Sequence, residues 1–366
     1  MRKILYCAST LSHIRNFHLP YLKAFHYQGY EVWVAANEEG SIPYADHVVA
    51  LPFAKSLLSL QNVKAIFLAR KLLREQHFEF VSTHTALASA VVRAAISLLR
   101  NRPKVFCTVH GYLFNENDGL KKWVYLLPEK ICAHVTDVLM VMNQEDYEIA
   151  QKHKLSRSKP ILTHGMGIDL EKFPLITPEK RESARSKFGF SPDDFLFIYA
   201  AEFSKRKNQT FLIRVFSEAC REHPNMKLIL AGNGALLKEC KDLAEQLHVE
   251  KQIVFPGHVK PIQDLYATCD AGISSSQIEG LPFNIMEMMS CGLPVIASNI
   301  KGHRELIKEG ETGWLYHSED SAALREKIIH SYVHTQAAKE VGRRGRKLLK
   351  SYELEAVFDE IITYYK

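Results

Sequence analysis

Residues Gln277–Leu306, QIEGLPFNIMEMMSCGLPVIASNIKGHREL, decide how the rest of the chain is read. The run Ala271–Ile273 leads into three serines, Ser274 to Ser276, as a buried strand does when it runs out into a polar loop. Glu279-Gly280-Leu281-Pro282 follows, and Phe283–Ser290 has helical apolar spacing. Proline suits a helix start because its missing N–H would have no partner there anyway. Cys291-Gly292-Leu293-Pro294 then supplies a glycine stop and a following proline. Val295–Ala297 reads as the next buried strand, with Gly302 beyond it. Strand, glycine-containing loop, helix and strand make half of a doubly wound sheet, with the loop at its carboxyl edge.

Two carboxylates stand out in this stretch. Glu279 lies in the loop and Glu287 inside the helix. Over a helix, eight residues rise roughly 12 Å and turn about 80° beyond two full turns, so both acids can line one groove. A helix N-terminus between them attracts phosphate through its N–H groups and macrodipole. A nucleotide-sugar fits that order, with hydroxyls at each end and a pyrophosphate in the middle. On spacing alone a plainer reading stands beside it, in which Glu279 complements the helix dipole and Glu287 lies on a solvated face.

Outward from this stretch the same alternation recurs. Strands are expected at Ile4–Cys7, Glu31–Ala35, His47–Leu51, Phe80–Ser82, Lys104–His110 and Val138–Met142. Between them, helices are expected at His18–Gln28, Asn62–Gln76, Ala86–Leu99, Lys121–Thr136 and Gln144–His153, with Ala8–Arg15 a polar loop. The pattern restarts at Phe195–Ala200 and continues through Gln209–Glu222, Met226–Ala231, Ala235–Leu247 and Ile253–Pro256. Strands alternating with helices imply parallel sheets covered on both faces. Two such halves predict two domains, residues 1–165 and 166–350, with residues 351–366 a last helix that crosses back to the first. The proline-containing, charged stretch Pro174–Ser191 is the candidate junction.

At 366 residues the chain can bury two cores. A net charge of +6 is too mild to argue for nucleic acid. Seven cysteines, an odd number with no C-x-x-C spacing, point away from a disulfide framework or a cysteine zinc site and towards a reducing cytoplasm. The apolar start is too short for a signal peptide, and Ala86–Leu99, interrupted by Arg93, is shorter than a membrane span. No G-x-G-x-x-G follows the first strand, and no P-loop, H-E-x-x-H or D-x-D is present. The expected site is therefore metal-free and cofactor-free, with phosphate charge met by cations and helix dipoles. Lys205-Arg206-Lys207-Asn208 follows the strand Phe195–Ala200 where such cations would face a ligand. By itself a basic run is as often a solvated turn. A lone histidine such as His110, at the end of Val105–Val109, is more often structural. Val63–His77 carries Lys64, Arg70, Lys71 and Arg74 beside Ile66, Phe67 and Leu68. With Arg93, Arg100, Arg102 and Lys104 it forms a candidate basic surface for anionic lipid.

EGLPFNIMEMMSCGLPVIAS resembles the E-x₇-E signature of family 4 retaining glycosyltransferases, with Glu279 and Glu287 as the two acids. YAAEFSKRKN resembles a variant in the capsule and exopolysaccharide type, CTVHGYLF the family's strand-His-Gly element, and Gly165-Met166-Gly167-Ile168-Asp169 with Phe173 its G-x-G-x-D-x-x-x-F element. The resemblance is strongest from Phe197 to Leu315. It implies the GT-B fold, an α/β architecture of two doubly wound Rossmann-like domains facing a central cleft, with the nucleotide-sugar held mainly on the second.

By that resemblance Glu279 binds donor-sugar hydroxyls, with Gly280, Leu281 and Pro282 beside it, and Glu287 binds the ribose. Lys207 meets the pyrophosphate. The family's Arg five residues earlier is Glu202 here, so Arg206 is assigned the second cation. His110 contacts the sugar near the reaction centre, Asn233, Gly257 and His258 lie near the base, and Asp169 lies at the junction. The first loop lacks the Gly-Gly pair of relatives, leaving His13 and Arg15 as acceptor-side candidates. The implied activity is transfer of a hexose or N-acetylhexosamine from a UDP-sugar to a saccharide acceptor, lipid-linked, in capsule or exopolysaccharide synthesis. The implied location is the cytoplasm, peripheral at the inner face of the plasma membrane. Two alternatives stand beside it: a UDP-sugar epimerase of the same fold, and a non-catalytic nucleotide-sugar-binding subunit.

Overall fold

The computed structural model describes residues 1–54 and 59–365. The chain divides into two compact units, Met1–Gly167 with Glu355–Lys366, and Ile168–Leu354.

The first unit is built on seven parallel strands: β1 (Lys3–Cys7), β2 (Glu31–Ala36), β3 (His47–Ala50), β4 (Phe80–His84), β5 (Lys104–Val109), β6 (Val138–Val141) and β7 (Ile161–Leu162), in the order β3-β2-β1-β4-β5-β6-β7. Its central strands are almost wholly buried, as sheets covered on both faces require. Leu5 and Cys7 pack with Ala65, Ala69 and Leu73 of helix Leu60–Gln76 and with Val91, Val92 and Ile96 of helix Ala86–Ser97. Each fully buried aliphatic side chain contributes about 1.5–3 kcal/mol over its exposed state.

The last helix, Leu354–Ile362, and the turn Thr363–Tyr365 complete this unit. Phe358 lies 5.3 Å from Tyr21, ring to ring. Tyr365 stacks on Phe106 at 4.1 Å and shares a 2.6 Å hydrogen bond with Ser82 Oγ.

The second unit holds six parallel strands: β8 (Phe195–Ala200), β9 (Met226–Ala231), β10 (Ile253–Gly257), β11 (Ala271–Ser274), β12 (Val295–Ser298) and β13 (Trp314–Tyr316), in the order β10-β9-β8-β11-β12-β13. Phe197, Leu228 and Ile273 from the sheet pack with Leu212 and Phe216, Leu243, and Leu324 and Ile328 from three helices. In each sheet the strand order reverses at one place: between β1 and β4, and between β8 and β11. Such switch points leave a crevice outside the carboxyl ends of the strands, where ligands bind in open α/β sheets.

Three expectations need correction. The loop expected at Ala8–Arg15 contains a helix, Leu11–Phe17, because Thr10 caps it by accepting from the His13 amide while Leu11 and Ile14 are buried. The division between units falls at Gly167 and Ile168, while Pro174–Ser191 lies inside the second unit around helix Pro178–Phe188. Arg93 is not part of a basic surface. It is fully buried. Its guanidinium donates to both oxygens of Glu129 at 2.9 Å and to Thr136 Oγ1 at 3.2 Å. A buried charge is tolerated only with such a partner. Arg102 is likewise drawn into a two-pronged pair with Asp137.

Candidate active site

Glu279 sits in the loop after β11 with 8% of its surface exposed. The loop after β8 supplies its partners. Lys205–Lys207 forms a single 3₁₀ turn, tied by Lys207 N–H donating to Ser204 O at 3.0 Å. The two loops are stitched together: Gln277 N–H donates to Arg206 O at 2.8 Å, and Ser275 Oγ donates to Lys207 O at 2.9 Å. Backbone pairing at the switch point therefore fixes where both cations start.

Lys207 Nζ donates to Glu279 Oε1, and Arg206 Nη1 donates to Oε2 at 3.1 Å. Ser276 Oγ adds a bond to Oε1 at 2.7 Å and is itself held by the Tyr199 hydroxyl at 2.6 Å. Burial raises the Glu279 carboxyl, but the charges of Lys207 and Arg206, with hydrogen bonds from Lys207 and Ser276, outweigh it and hold the group below its usual value. Glu279 is thus a carboxylate clamped by two cations, of which Lys207 is nearly enclosed and Arg206 is 43% exposed.

Glu287 lies on helix Phe283–Ser290, which starts after Pro282 in extended conformation. Its Oε2 accepts from the Tyr266 hydroxyl at 2.8 Å. Burial pushes this carboxyl up to about 7, against the lowering effect of Tyr266 and Lys172. The two acids of one motif therefore sit in opposite electrostatic settings. Leu281 is buried. Gly302 is required beside them: a Cβ there would stand 2.7 Å from both the Glu279 and Gly280 carbonyl oxygens.

Next along the same edge, Gly232 and Gly234 flank Asn233 after β9. A Cβ at Gly232 would meet Ala201 O at 2.1 Å, so this loop lies directly on the one after β8. Asn233 O accepts from Phe203 N–H at 2.9 Å, and Gly257 O from Gly232 N–H at 2.8 Å. The Asn233 and His258 side chains are exposed. Asp169 is also exposed, and its Oδ1 accepts from the Glu171 and Lys172 amides, closing a local turn.

In the first unit, His110 follows β5 and His13 lies on helix Leu11–Phe17, their ring centroids 4.6 Å apart. Arg15 is exposed and donates to Ser41 O at 2.9 Å, away from the histidines. Beside His110 a cavity of about 70 Å³ is lined by Thr85, Ser89, Cys107, Tyr112 and Tyr125 among others.

Several contributors escaped the sequence reading. Ser276, Tyr199 and Tyr266 orient the two acids, and His18 and His84 join the first-unit histidines. His84 carried a usable signal, since it ends β4 as His110 follows β5.

Comparison with known proteins identifies the family. Residues 180–348 match the family of glycosyl transferases group 1, and residues 21–172 match glycosyltransferase family 4. The putative glycosyltransferase EpsD of Bacillus subtilis is 33% identical over 366 residues, covering 100% of this chain and 96% of that protein. The chain belongs to the family 4 glycosyltransferases. This glycosyltransferase is also 26% identical, over 329 residues, to the UDP-Gal:alpha-D-GlcNAc-diphosphoundecaprenol alpha-1,3-galactosyltransferase of Escherichia coli, covering 87% of this chain and 84% of that one. HepE of Anabaena, solved with UDP and glucose, shares the fold at a TM-score of 0.81 and 18% identity over 100% of this chain and 99% of that one. The glycosyltransferase therefore has the GT-B fold.

Proposed function

We propose that this glycosyltransferase moves a hexose or N-acetylhexosamine from a UDP-sugar to a lipid-linked saccharide in capsule or exopolysaccharide synthesis, with retention at the anomeric carbon and without a metal on the diphosphate. The observation that carries the reading is the buried Glu279 clamped by Lys207 and Arg206 at a switch point. The names of relatives support the donor class and pathway, among them the E. coli galactosyltransferase and the capsular glycosyltransferase CapM of Staphylococcus aureus.

The chemistry follows from the charges. The diphosphate competes with Glu279 for Lys207 and Arg206. As those cations turn to phosphate, Glu279 is released to accept hydrogen bonds from sugar hydroxyls, beside the amides of Gly280 and Leu281. Glu287 accepts from the ribose hydroxyls. The acceptor hydroxyl attacks the anomeric carbon on the leaving-group side. The bond from that carbon to the β-phosphate oxygen breaks, and the departing oxygen takes the acceptor's proton. Negative charge grows on the diphosphate as the bond breaks, so cations fixed there act mainly on the transition state. His110 contacts the sugar.

The lipid-linked acceptor has further support in the first unit. The turn Gly119–Lys122 and helix Trp123–Cys132 expose Leu120, Trp123, Val124, Leu127 and Ile131 beside Lys121 and Lys130. Helix Leu60–Gln76 exposes Val63 and Phe67 beside Lys64 and Lys71. Apolar faces rimmed by lysine bind anionic lipid surfaces peripherally. Among the described residues no helix is long and apolar enough to cross a membrane. Cosedimentation with anionic vesicles at low salt is expected, and no binding there would remove the membrane part.

Thermal stabilisation across UDP, GDP, ADP and their sugars tests the donor. At about 100 times its Kd a true ligand adds roughly 2.7 kcal/mol, a clear melting shift. A shift with UDP and one or two UDP-sugars is expected, and NMR of the product's anomeric proton reads the stereochemistry. A response to GDP or ADP alone, or an inverted product, would overturn the corresponding part.

A further inference from the structure

The switch point of the first sheet gathers four histidines. His13 lies on the helix after β1, His18 joins that helix to the next one, Leu19–Tyr27, His84 ends β4 and His110 follows β5. The His18 ring is 3.8 Å from that of His84 and 5.2 Å from that of His13, centroid to centroid. His18 is completely buried. Among the described residues neither of its ring nitrogens has a hydrogen-bond partner, and His13 Nε2 has none either.

A neutral imidazole carries one donor and one acceptor. Enclosing both without partners is costly, and such groups in a folded protein call for an explanation. Burial holds His13 down at about 4, and burial with the neighbouring histidines holds His18 and His110 well below their usual value.

We propose that His13, His18 and His110 form a binding site for a divalent transition-metal ion of the zinc class. One nitrogen from each of these residues lies within 4.8 Å of the others. Zinc–imidazole bonds of about 2.0–2.1 Å in a tetrahedron put the nitrogens roughly 3.3 Å apart, so no pair needs to close by more than about 1.5 Å on binding. Three imidazoles leave a fourth position for water or a hydroxyl, in the manner of open zinc sites. Imidazole suits zinc, copper, nickel and iron, whereas magnesium and calcium prefer oxygen.

A supporting shell is already in place. His84 Nδ1 lies 3.4 Å from His110 Nε2, His84 Nε2 lies 2.9 Å from Ser82 Oγ, and Ser82 Oγ lies 2.6 Å from the Tyr365 hydroxyl. Outer partners of this kind orient ligating histidines and tune their affinity. The ion would tie the helix after β1 to the end of β5, on residues of the first unit. His110 has two ring nitrogens, so with the ion on one a sugar contact would use the other in place of its contact with His84. The site does not depend on that contact.

The test uses tag-free full-length protein, stripped with chelator, incubated with Zn²⁺ alone or Co²⁺ alone and desalted. About one equivalent of Zn²⁺ should be retained, by elemental analysis. Co²⁺ should give the intense visible bands of a tetrahedral site, which Zn²⁺ then abolishes. His13→Ala and His18→Asn, each checked by circular dichroism, should lose both signals, and His84→Gln should weaken Zn²⁺ roughly 10- to 100-fold. No retained metal and no cobalt bands in wild type would overturn the site, as would equal retention by folded His13→Ala and His18→Asn. UDP-induced stabilisation, measured on the same stripped protein, reports the donor site separately.

Discussion

The two switch points of this molecule occupy equivalent places in their sheets and are furnished in opposite ways. Between β8 and β11 the crevice holds fixed charge: a carboxylate below its usual value, clamped by two cations. Between β1 and β4 the crevice holds imidazoles kept neutral by burial. A fixed-charge site is ready for a charged ligand and releases little water to rearrange. A neutral, under-bonded site waits for a partner that supplies its missing bonds. One architecture thus serves two kinds of recognition, because the loops rather than the strands decide the chemistry.

The sharpest way to break the comparison is Lys207→Ala. Loss of the enclosed cation should lower kcat about 10²- to 10³-fold, the usual range for removing one fixed transition-state donor. Steady-state kinetics decide it: kcat within twofold of wild type would mean that the charged crevice does not serve the departing phosphate. Gly302→Ala should come next. Its new methyl would press on the Glu279 and Gly280 carbonyls, costing about 1–3 kcal/mol by denaturant unfolding and raising KM for donor. Unchanged stability would show that the Glu279 loop yields easily.

Glu287 sharpens the contrast within the charged crevice. Its carboxyl is raised from 4.5 to about 7, so the protonated form is favoured by folding. That contribution is whole below pH 4.5 and is lost as pH rises through about 7. Between about pH 5.5 and 8 the wild-type melting temperature should therefore fall by a few degrees relative to Glu287→Gln. Parallel melting profiles would mean that Glu287 is ionised throughout. The smallest effect is expected from Glu279→Gln. It removes the competitor for Lys207 and Arg206, so UDP should bind about two- to fivefold tighter even as transfer falls. Weaker UDP binding, by calorimetry, would show that Glu279 helps to hold the diphosphate.

Much of the second switch point was legible in the sequence. Glu279 to Glu287 is one continuous stretch, and Arg206 and Lys207 follow a strand that is apolar from end to end. Alternation of strands and helices likewise made both sheets readable. The first switch point was harder, because His13, His18, His84 and His110 are spread over four elements and each alone reads as an ordinary histidine. Arg93 misled for a related reason. Its partner Glu129 is 36 residues away, and nothing local distinguishes a buried arginine from one that reaches solvent. The exposed stripe at Leu120–Ile131 is also silent, since apolar residues at helical spacing usually mean core.

Tyr365 closes the chain of bonds that runs through Ser82 to His84, and the helix before it packs on Tyr21. The order of synthesis is therefore the reverse of the order of completion. Residues 168–354 form one continuous stretch and can fold as they leave the ribosome. The unit begun first must wait for residue 365. At about 5–20 residues per second, the 198 residues from Ile168 through Tyr365 take roughly 10 to 40 s to make. For that time the aromatic faces that Tyr365 will cover are open, and a nascent chain stalled late would display an unfinished first unit beside a finished second one.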